Sequence, residues 1–329
     1  VASRACGCSV PSVCSHGRQA GNTGTSPSTQ LRSGAVREAD TGRRPDFYVV
    51  GAPKCGTTSL YQYLRQHPQV FMPDRKEPHY FTDAHQLPSS YPRMDVHEYL
   101  ALFAGALEDQ IAGEASVTYL TSTGAAARMQ EFTPAARIVV PLRNPVDRAY
   151  SEYWNSRRAG MQHLSFADAI AEESQRDPWR RYVGKGYYAQ HVGRFIEAFG
   201  ADAVHVCFFD DLVADPRLLC RGVFSFLGVD PSVEVDTSTV YNRGGAPRWR
   251  SAGVLHTAIA RRAQPVRRAM EAVLPTRLTL ALRRGFRRLM IRADVPPMQA
   301  DTRRHLQQLY AADIEQLQRI TGTSLAPWL

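Results

Sequence analysis

The sequence predicts an α/β fold: a three-layer domain in which a central parallel sheet is flanked by helices. Three observations carry this. Continuous apolar runs of strand length occur at FYVV (47–50), ARIVVPL (136–142) and AVHVCFF (203–209), as expected of strands buried on both faces. Segments with helical periodicity stand between them, and strands alternating with helices argue for parallel connections. A glycine-bracketed loop, GAPKCG (51–56), joins the first strand to the first helix, which makes the domain P-loop-like.

The elements follow in chain order. After the loop, SLYQYLRQHP places Leu60, Tyr61 and Leu64 at helical spacing, and Pro68 ends the run. KEPHYF (76–81) reads as short and extended, which would put Glu77, His79 and Phe81 on one face. DVHEYLALF (95–103) reads as a helix capped by Asp95. Pro145, just past the second strand, is placed to open a helix through Trp154. The third strand leads into helix-like LLCRGVFSFLGV (218–229), and the chain ends in a helix around 302–320. Residues 1–44 are rich in Ser, Gly, Thr and Arg without a hydrophobic period and are expected to be a disordered N-terminal extension. The folded domain is expected to span 45–329, with about 251–300 as a basic helical lid or acceptor-facing subregion.

Composition narrows the class. Of 329 residues, 43% are hydrophobic and 22% charged, ordinary for a globular chain. Nothing approaches eighteen consecutive apolar residues, so no stable membrane insertion is expected. The N-terminal stretch has no apolar signal core, which makes a cytoplasmic location the default. A net charge of +9 favours anionic ligands. Arginine pairs recur at 261–262, 267–268, 283–284, 287–288 and 303–304; they read either as solvated helix faces or as a basic rim. Cys6, Cys8 and Cys14 lie in the extension, while Cys55, Cys207 and Cys220 are dispersed, so reduced thiols fit better than a disulfide framework or a zinc site.

The loop carries the chemistry. Gly51 and Gly56 bracket it at the spacing of a nucleoside-triphosphate loop, but Thr57 stands where that pattern has its lysine, and Lys54 lies inside. Exposed backbone N–H groups, a helix N-terminus and the hydroxyls of Thr57, Thr58 and Ser59 would hold a phosphate. A triphosphatase also needs a magnesium-binding aspartate at the end of a second strand. Here that strand ends PLRNP, with Arg143 at its tip. An arginine there repels a metal and attracts a further phosphate. Two phosphate groups and no metal describe a 3′,5′-bisphosphorylated nucleotide better than a triphosphate.

YVVGAPKCGTTSL together with IVVPLRNPVDRAYSEYW resembles the sulfotransferases that use 3′-phosphoadenosine 5′-phosphosulfate (PAPS), most closely in motif the heparan-sulfate-type and bacterial members. GEASVTYL, KGYYAQHVGRFIEAFGADAVHVCFFDDLVADP, FLGV and the C-terminal LYAADIEQLQRITGTSLAPWL extend the resemblance over about 46–329. It implies that Lys54 contacts the bridging oxygen of the leaving phosphate, and that Cys55, Gly56, Thr57, Thr58 and Ser59 surround the 5′-phosphate. It implies further that Arg143 and Ser151 bind the 3′-phosphate from the mouth and second turn of one helix. Glu77 matches the glutamate that acts as base in heparan-sulfate-type members; His79, on the same face if the segment is extended, is a rival base, and a structural role for both stays open. Arg243 and Gly244 in YNRGGAPRWR stand where the family closes over the nucleotide, although the disulfide-closed loop of the heparan-sulfate type is absent. One departure concerns the acceptor: Ala115 replaces the lysine usual beside the glutamate of GEASVTYL, so a second cation is missing or comes from elsewhere.

The expected function is transfer of a sulfuryl group from PAPS to a hydroxyl of a small metabolite, glycoside or glycolipid, without a metal. A small-molecule or carbohydrate acceptor and no nucleic acid is the expected partner set, as in tailoring of a natural product. A P-loop kinase or triphosphatase, and a non-catalytic nucleotide- or polyanion-binding protein, are the rivals.

Overall fold

The computed structural model describes residues 42–241, 244–247, 291–292 and 294–329. The N-terminal extension up to residue 41, nearly all of the expected basic subregion, the three N-terminal cysteines and Arg243 lie outside the described residues.

Five parallel strands form the central sheet: β1 (Phe47–Val49), β2 (Val70–Phe71), β3 (Ile111–Ala115), β4 (Arg137–Leu142) and β5 (Val204–Phe208), in the order β2-β3-β1-β4-β5. β1 pairs with β3 on one side (Val49 opposite Ala115) and with β4 on the other (Val49 opposite Val139). The three apolar runs are β1, β4 and β5; β2 and β3 are additions the sequence reading did not identify. A short antiparallel pair, β6 (Ala246–Pro247) with β7 (Ile291–Arg292), lies apart from the sheet.

Alternation along the strands divides the core. Tyr48 of β1 and Val50 just past it, with Ile138, Val140 and Leu142 of β4, join one buried cluster with side chains of α3 (Ala125–Phe132), α4 (Pro145–Arg158), α6 (Tyr188–Phe199) and α9 (Ala300–Thr321). Phe47, Val49 and Val139 join the other, with α1 (Thr57–Leu64) and α8 (Pro216–Leu227). Successive strand residues point to opposite faces, so a sheet covered on both sides needs apolar residues throughout. The smaller helices are α2 (Val96–Ala101), α5 (Phe166–Ala171) and α7 (Phe209–Ala214).

Local signals set the helix ends. Asp95 and Glu98 form a reciprocal capping box on α2. Asn144 caps α4 by accepting from Val146 and Asp147, with Pro145 next in line. The first turn of α6 has no cap of its own; Asp313 of α9 accepts from the N–H groups of Tyr188 (2.7 Å) and Ala189 (3.1 Å), tying the C-terminal helix to the body. Arg303 pairs with Asp147 at 2.7 Å and Arg304 with Asp301, so this arginine pair serves the helix surface. No helix among the described residues is long and apolar enough to cross a membrane.

One expectation is corrected. KEPHYF is not an extended strand: no strand falls between β2 and β3, and Glu77 and His79 have φ of 62° and 57°. The preceding and intervening prolines and the pull of polar partners beyond β3 bend it into a series of turns.

β1 continues along β4 past its last strand residue, through Val50 N–H to Val139 O (3.0 Å) and Ala52 N–H to Pro141 O (3.2 Å). Gly51 permits this, since a Cβ there would stand 2.3 Å from the Pro141 ring and 2.8 Å from its backbone. Gly51→Ala is therefore expected to cost about 1–3 kcal/mol of stability through overpacking, read as a lowered urea midpoint; an unchanged midpoint would show that this contact relaxes freely.

Candidate functional site

The site lies where the strand order reverses, at the carboxyl ends of β1 and β4, the usual place for ligands in open α/β sheets. From β1 comes the 51–56 loop. Lys54 has φ of 72° and Gly56, at the head of α1, has φ of 79°. Gly56 offers no capping side chain, which leaves the first-turn N–H groups of α1 uncapped by any side chain of their own helix. A Cβ on Gly56 would meet Leu212 at 2.3 Å and the Phe209 ring at 3.1 Å, so glycine is required by both conformation and packing.

From β4 comes Arg143, immediately before the Asn144 cap. Its guanidinium lies over the Phe209 ring at 4.5 Å, and its carbonyl accepts from the Tyr188 hydroxyl at 2.9 Å. Phe209 thus supports both Gly56 and Arg143. Ser151 is in the second turn of α4, half-buried, as its spacing from Arg143 implied. Burial first, then the neighbouring charges of Arg158 and Arg143, lowers the Lys54 pKa to about 8, with Glu152 opposing. Burial is the larger cause, and the two arginines add to it, so the loop gathers cations in a partly desolvated place, which fits an anionic group.

The other loop residues divide. Thr57 and Ser59 are buried and Thr58 is half-buried. Ser59 Oγ accepts from Tyr241 N–H at 3.2 Å, which ties α1 to the chain leading toward Gly244. Cys55 is buried, its thiol pushed up to about 12 by burial, so it contributes backbone and packing. Gly244 is exposed two residues before β6, which packs on α4.

Glu77 and His79 come together with the loop at a cavity of about 200 Å³, bordered also by Pro53, Glu152, Trp179 and Lys185. Glu77 is bonded to Lys76 through Oε1, and its Oε2 lies 3.4 Å from His79 Nε2. Its N–H donates to Ala115 O (3.0 Å), and its carbonyl accepts from the Tyr91 hydroxyl (3.0 Å). His79 is buried; its N–H donates to Ser116 Oγ (3.1 Å), and Nδ1 shares a proton with Thr118 Oγ1 at 2.8 Å. Burial lowers the imidazole pKa, and Glu77 only partly offsets it, so the ring is neutral near pH 7.

Four participants were not singled out from sequence. Glu152, next to Ser151, accepts from Arg148 and from Lys185, each at 2.5 Å. Burial by itself would raise its pKa, but Lys185 and Arg148 hold it below the usual carboxylate range. Trp179 completes this wall. Lys185 lay in a stretch already noted for its resemblance, yet nothing in its spacing marked it. Glu114 of β3 is fully buried, with Oε2 accepting from Tyr119 (3.2 Å) and Oε1 unpartnered. Burial raises its pKa to about 7.

Comparison with known proteins gives one family. A family model described as "Sulfotransferase domain" matches residues 44–243. A sulfotransferase from Alicyclobacillus acidocaldarius superposes with a TM-score of 0.67 at 30% identity, covering 87% of this chain and 99% of that one. The bifunctional heparan sulfate N-deacetylase/N-sulfotransferase 4 of Mus musculus is 28% identical over 205 residues, 59% of this chain and 23% of that protein. The human heparan sulfate glucosamine 3-O-sulfotransferase 6 is 29% identical over 208 residues, 62% of this chain and 56% of that protein. The match thus spans about a quarter of the first relative and somewhat over half of the second.

An anion bound at this loop meets the protonated Lys54. Because the folded-state pKa is depressed to about 8, affinity is expected to be full below that pH and to fall as pH rises through it. Titration with adenosine 3′,5′-bisphosphate at pH 7 and pH 9 reads this directly. Lys54→Arg, which stays charged, should flatten the difference; a pH-independent affinity in the native chain would remove Lys54 from the anion site.

Proposed function

We propose a donor, an acceptor atom and residue roles for this chain, which belongs to the sulfotransferase family and so has sulfuryl transfer as its reaction class. The donor is PAPS and the acceptor atom is a hydroxyl oxygen, giving a sulfate ester and adenosine 3′,5′-bisphosphate. The observation that carries this reading is the pairing of an in-loop lysine with an arginine at the tip of the neighbouring strand. Where a triphosphatase holds its metal with a carboxylate, β4 runs into Arg143 and Asn144, and the next acid in sequence, Asp147, pairs with Arg303.

The residues present fit the nucleotide. The first-turn amides of α1, with Thr57 and Thr58, would hold the 5′-phosphate, and Arg143 with Ser151 the 3′-phosphate. PAPS supplies the sulfuryl group and a stable phosphate leaving group. Glu77 takes the proton of the acceptor hydroxyl; its Oε2, approached among the described residues by His79 at 3.4 Å, is the oxygen that receives it. The acceptor oxygen bonds to sulfur as the bond from sulfur to the bridging phosphate oxygen breaks. Lys54 stabilises the negative charge that develops on that oxygen. His79, neutral and engaged by Thr118, orients Glu77 and is the weaker candidate for base.

Family relatives include both N- and O-sulfotransferases; a carboxylate base can take the proton released by either acceptor atom, and the hydroxyl is the acceptor proposed here. The kinase reading predicts magnesium-dependent ATP binding and the polyanion reading predicts no role for Glu77. Titration with the bisphosphate and with ATP, each with and without EDTA, separates them: tight, EDTA-insensitive bisphosphate binding is expected, and tight binding of ATP alone with magnesium would sink the proposal. Arg143→Ala should weaken bisphosphate binding by about tenfold or more. Glu77→Gln should preserve that binding and slow sulfuryl transfer from PAPS into a metabolite extract by roughly 10²–10⁴-fold, followed by mass spectrometry. The opposite assignment of effects would overturn the roles.

A further inference from the structure

The cavity beside Glu77 contains a cation that the donor does not need. Lys185 sits in the 184–186 turn, with its ammonium against Glu152 Oε1 at 2.5 Å and the Trp179 carbonyl at 3.0 Å. An ammonium has three N–H donors; two are used by the protein, and the residue borders the cavity. Charge points the same way. Glu152 is shared by two cations, with Arg148 on Oε2 and Lys185 on Oε1, so the trio carries one positive charge in excess. Arg148 is fully buried, which leaves that excess to be expressed at Lys185. Across the cavity Glu77 is balanced by Lys76, and His79 is neutral.

The turn that presents Lys185 is rigidly held. The Glu173 carboxylate gathers three successive backbone N–H groups, from Tyr182 (2.8 Å), Val183 (2.7 Å) and Gly184 (2.8 Å). Arg148 takes the Tyr182 carbonyl and the Tyr310 hydroxyl takes that of Val183 at 2.8 Å. Ala115, meanwhile, is buried in the core beside α1, so no cation reaches the cavity from that position.

We propose that Lys185 is the acceptor-binding cation of this site, holding an oxyanion of the acceptor, a carboxylate or a sulfate, beside the hydroxyl presented to Glu77. Glu173 is its positioning residue. The cavity, about 200 Å³, is smaller than the ~300–1,000 Å³ of a drug-sized site, so it takes one ring or headgroup of a larger acceptor. This inference rests on the sulfuryl-transfer reading.

The test uses the full chain saturated with adenosine 3′,5′-bisphosphate and titrated calorimetrically with three matched probes: 4-nitrophenyl β-D-glucoside, the corresponding glucuronide, and the glucoside 6-sulfate. An anionic probe is expected to bind about tenfold tighter than the neutral one, and the carboxylate and sulfate arms identify which oxyanion fits. Lys185→Met should abolish the preference and Lys185→Arg should keep most of it. Glu173→Gln should weaken the anionic probes while leaving the bisphosphate titration unchanged. Equal binding or no binding of the three probes by the native chain, or an undiminished preference in Lys185→Met, overturns the role of Lys185 alone. Failure of the native chain to bind the bisphosphate overturns the sulfuryl-transfer reading and this inference with it.

Discussion

The parallel pairing of β1 with β4 is the constraint on which the site depends. Its register sets Val49 opposite Val139 and continues until Ala52 bonds to Pro141, so the two strands end level. The loop that follows one and the helix that follows the other must then open onto the same crevice. β2 and β3 lie on the far side of β1, and β5 lies beyond β4. Two helix N-termini, α1 and α4, converge there, each directing its positive end toward the same space. Phe209, at the start of α7 after the neighbouring β5, packs beneath Gly56 and Arg143 together. A shift of one strand residue would exchange the two faces and separate these parts.

Strain is confined to the same place. Among the described residues, the non-glycine residues with positive φ are Lys54, Glu77 and His79, the three candidates for chemistry. Such backbone costs about 1–3 kcal/mol per residue and persists where surroundings over-determine it. For Glu77 and His79 the surroundings are visible: Ala115 O, Ser116 Oγ, Thr118 Oγ1 and the Tyr91 hydroxyl take their backbone and ring groups. The segment after β3 therefore shapes the base-bearing segment. In GEASVTYL the side chains of Ser116, Thr118 and Tyr119 serve residues 77–82, whereas Ala115 contributes its carbonyl to Glu77 and packs its side chain in the core.

Much of the fold was legible because it rests on uninterrupted apolar runs. β1, β4 and β5 have them, and the cap Asp95 and the first-turn Pro145 announce their helices. β3 was missed because Gly113 and Glu114 interrupt its apolar pattern; its burial is a tertiary outcome that puts an acid wholly inside. β2 is two residues long and exists by pairing with β3. The positions of Lys54 and Arg143 were legible because both adjoin strand ends, where spacing alone fixes position. The arrangement around Glu77 was not. KEPHYF was read with strand periodicity, whereas its conformation comes from partners some forty residues away. Lys185, Glu152 and Trp179 meet only because distant turns are folded against α4.

α4 is where the two halves join. Ser151 and Glu152 are consecutive on it, and successive helix residues point about 100° apart, so the two side chains take different directions, that of Glu152 toward the cavity beside Glu77. Arg148, a turn earlier, is buried against Glu152 and the Tyr182 carbonyl, which fixes the carboxylate and the Lys185 turn in one network. Removing one member of such a network leaves a buried charge unpaired, at a cost of about 3–5 kcal/mol. The same carboxylate acts on the charge of Lys54, opposing the burial and the cations that depress it. Glu152 thus belongs electrostatically to both sides. The carboxylate that pairs with Lys185 also holds up the charge of Lys54, so a change of charge at one lysine is felt at the other through a single buried group.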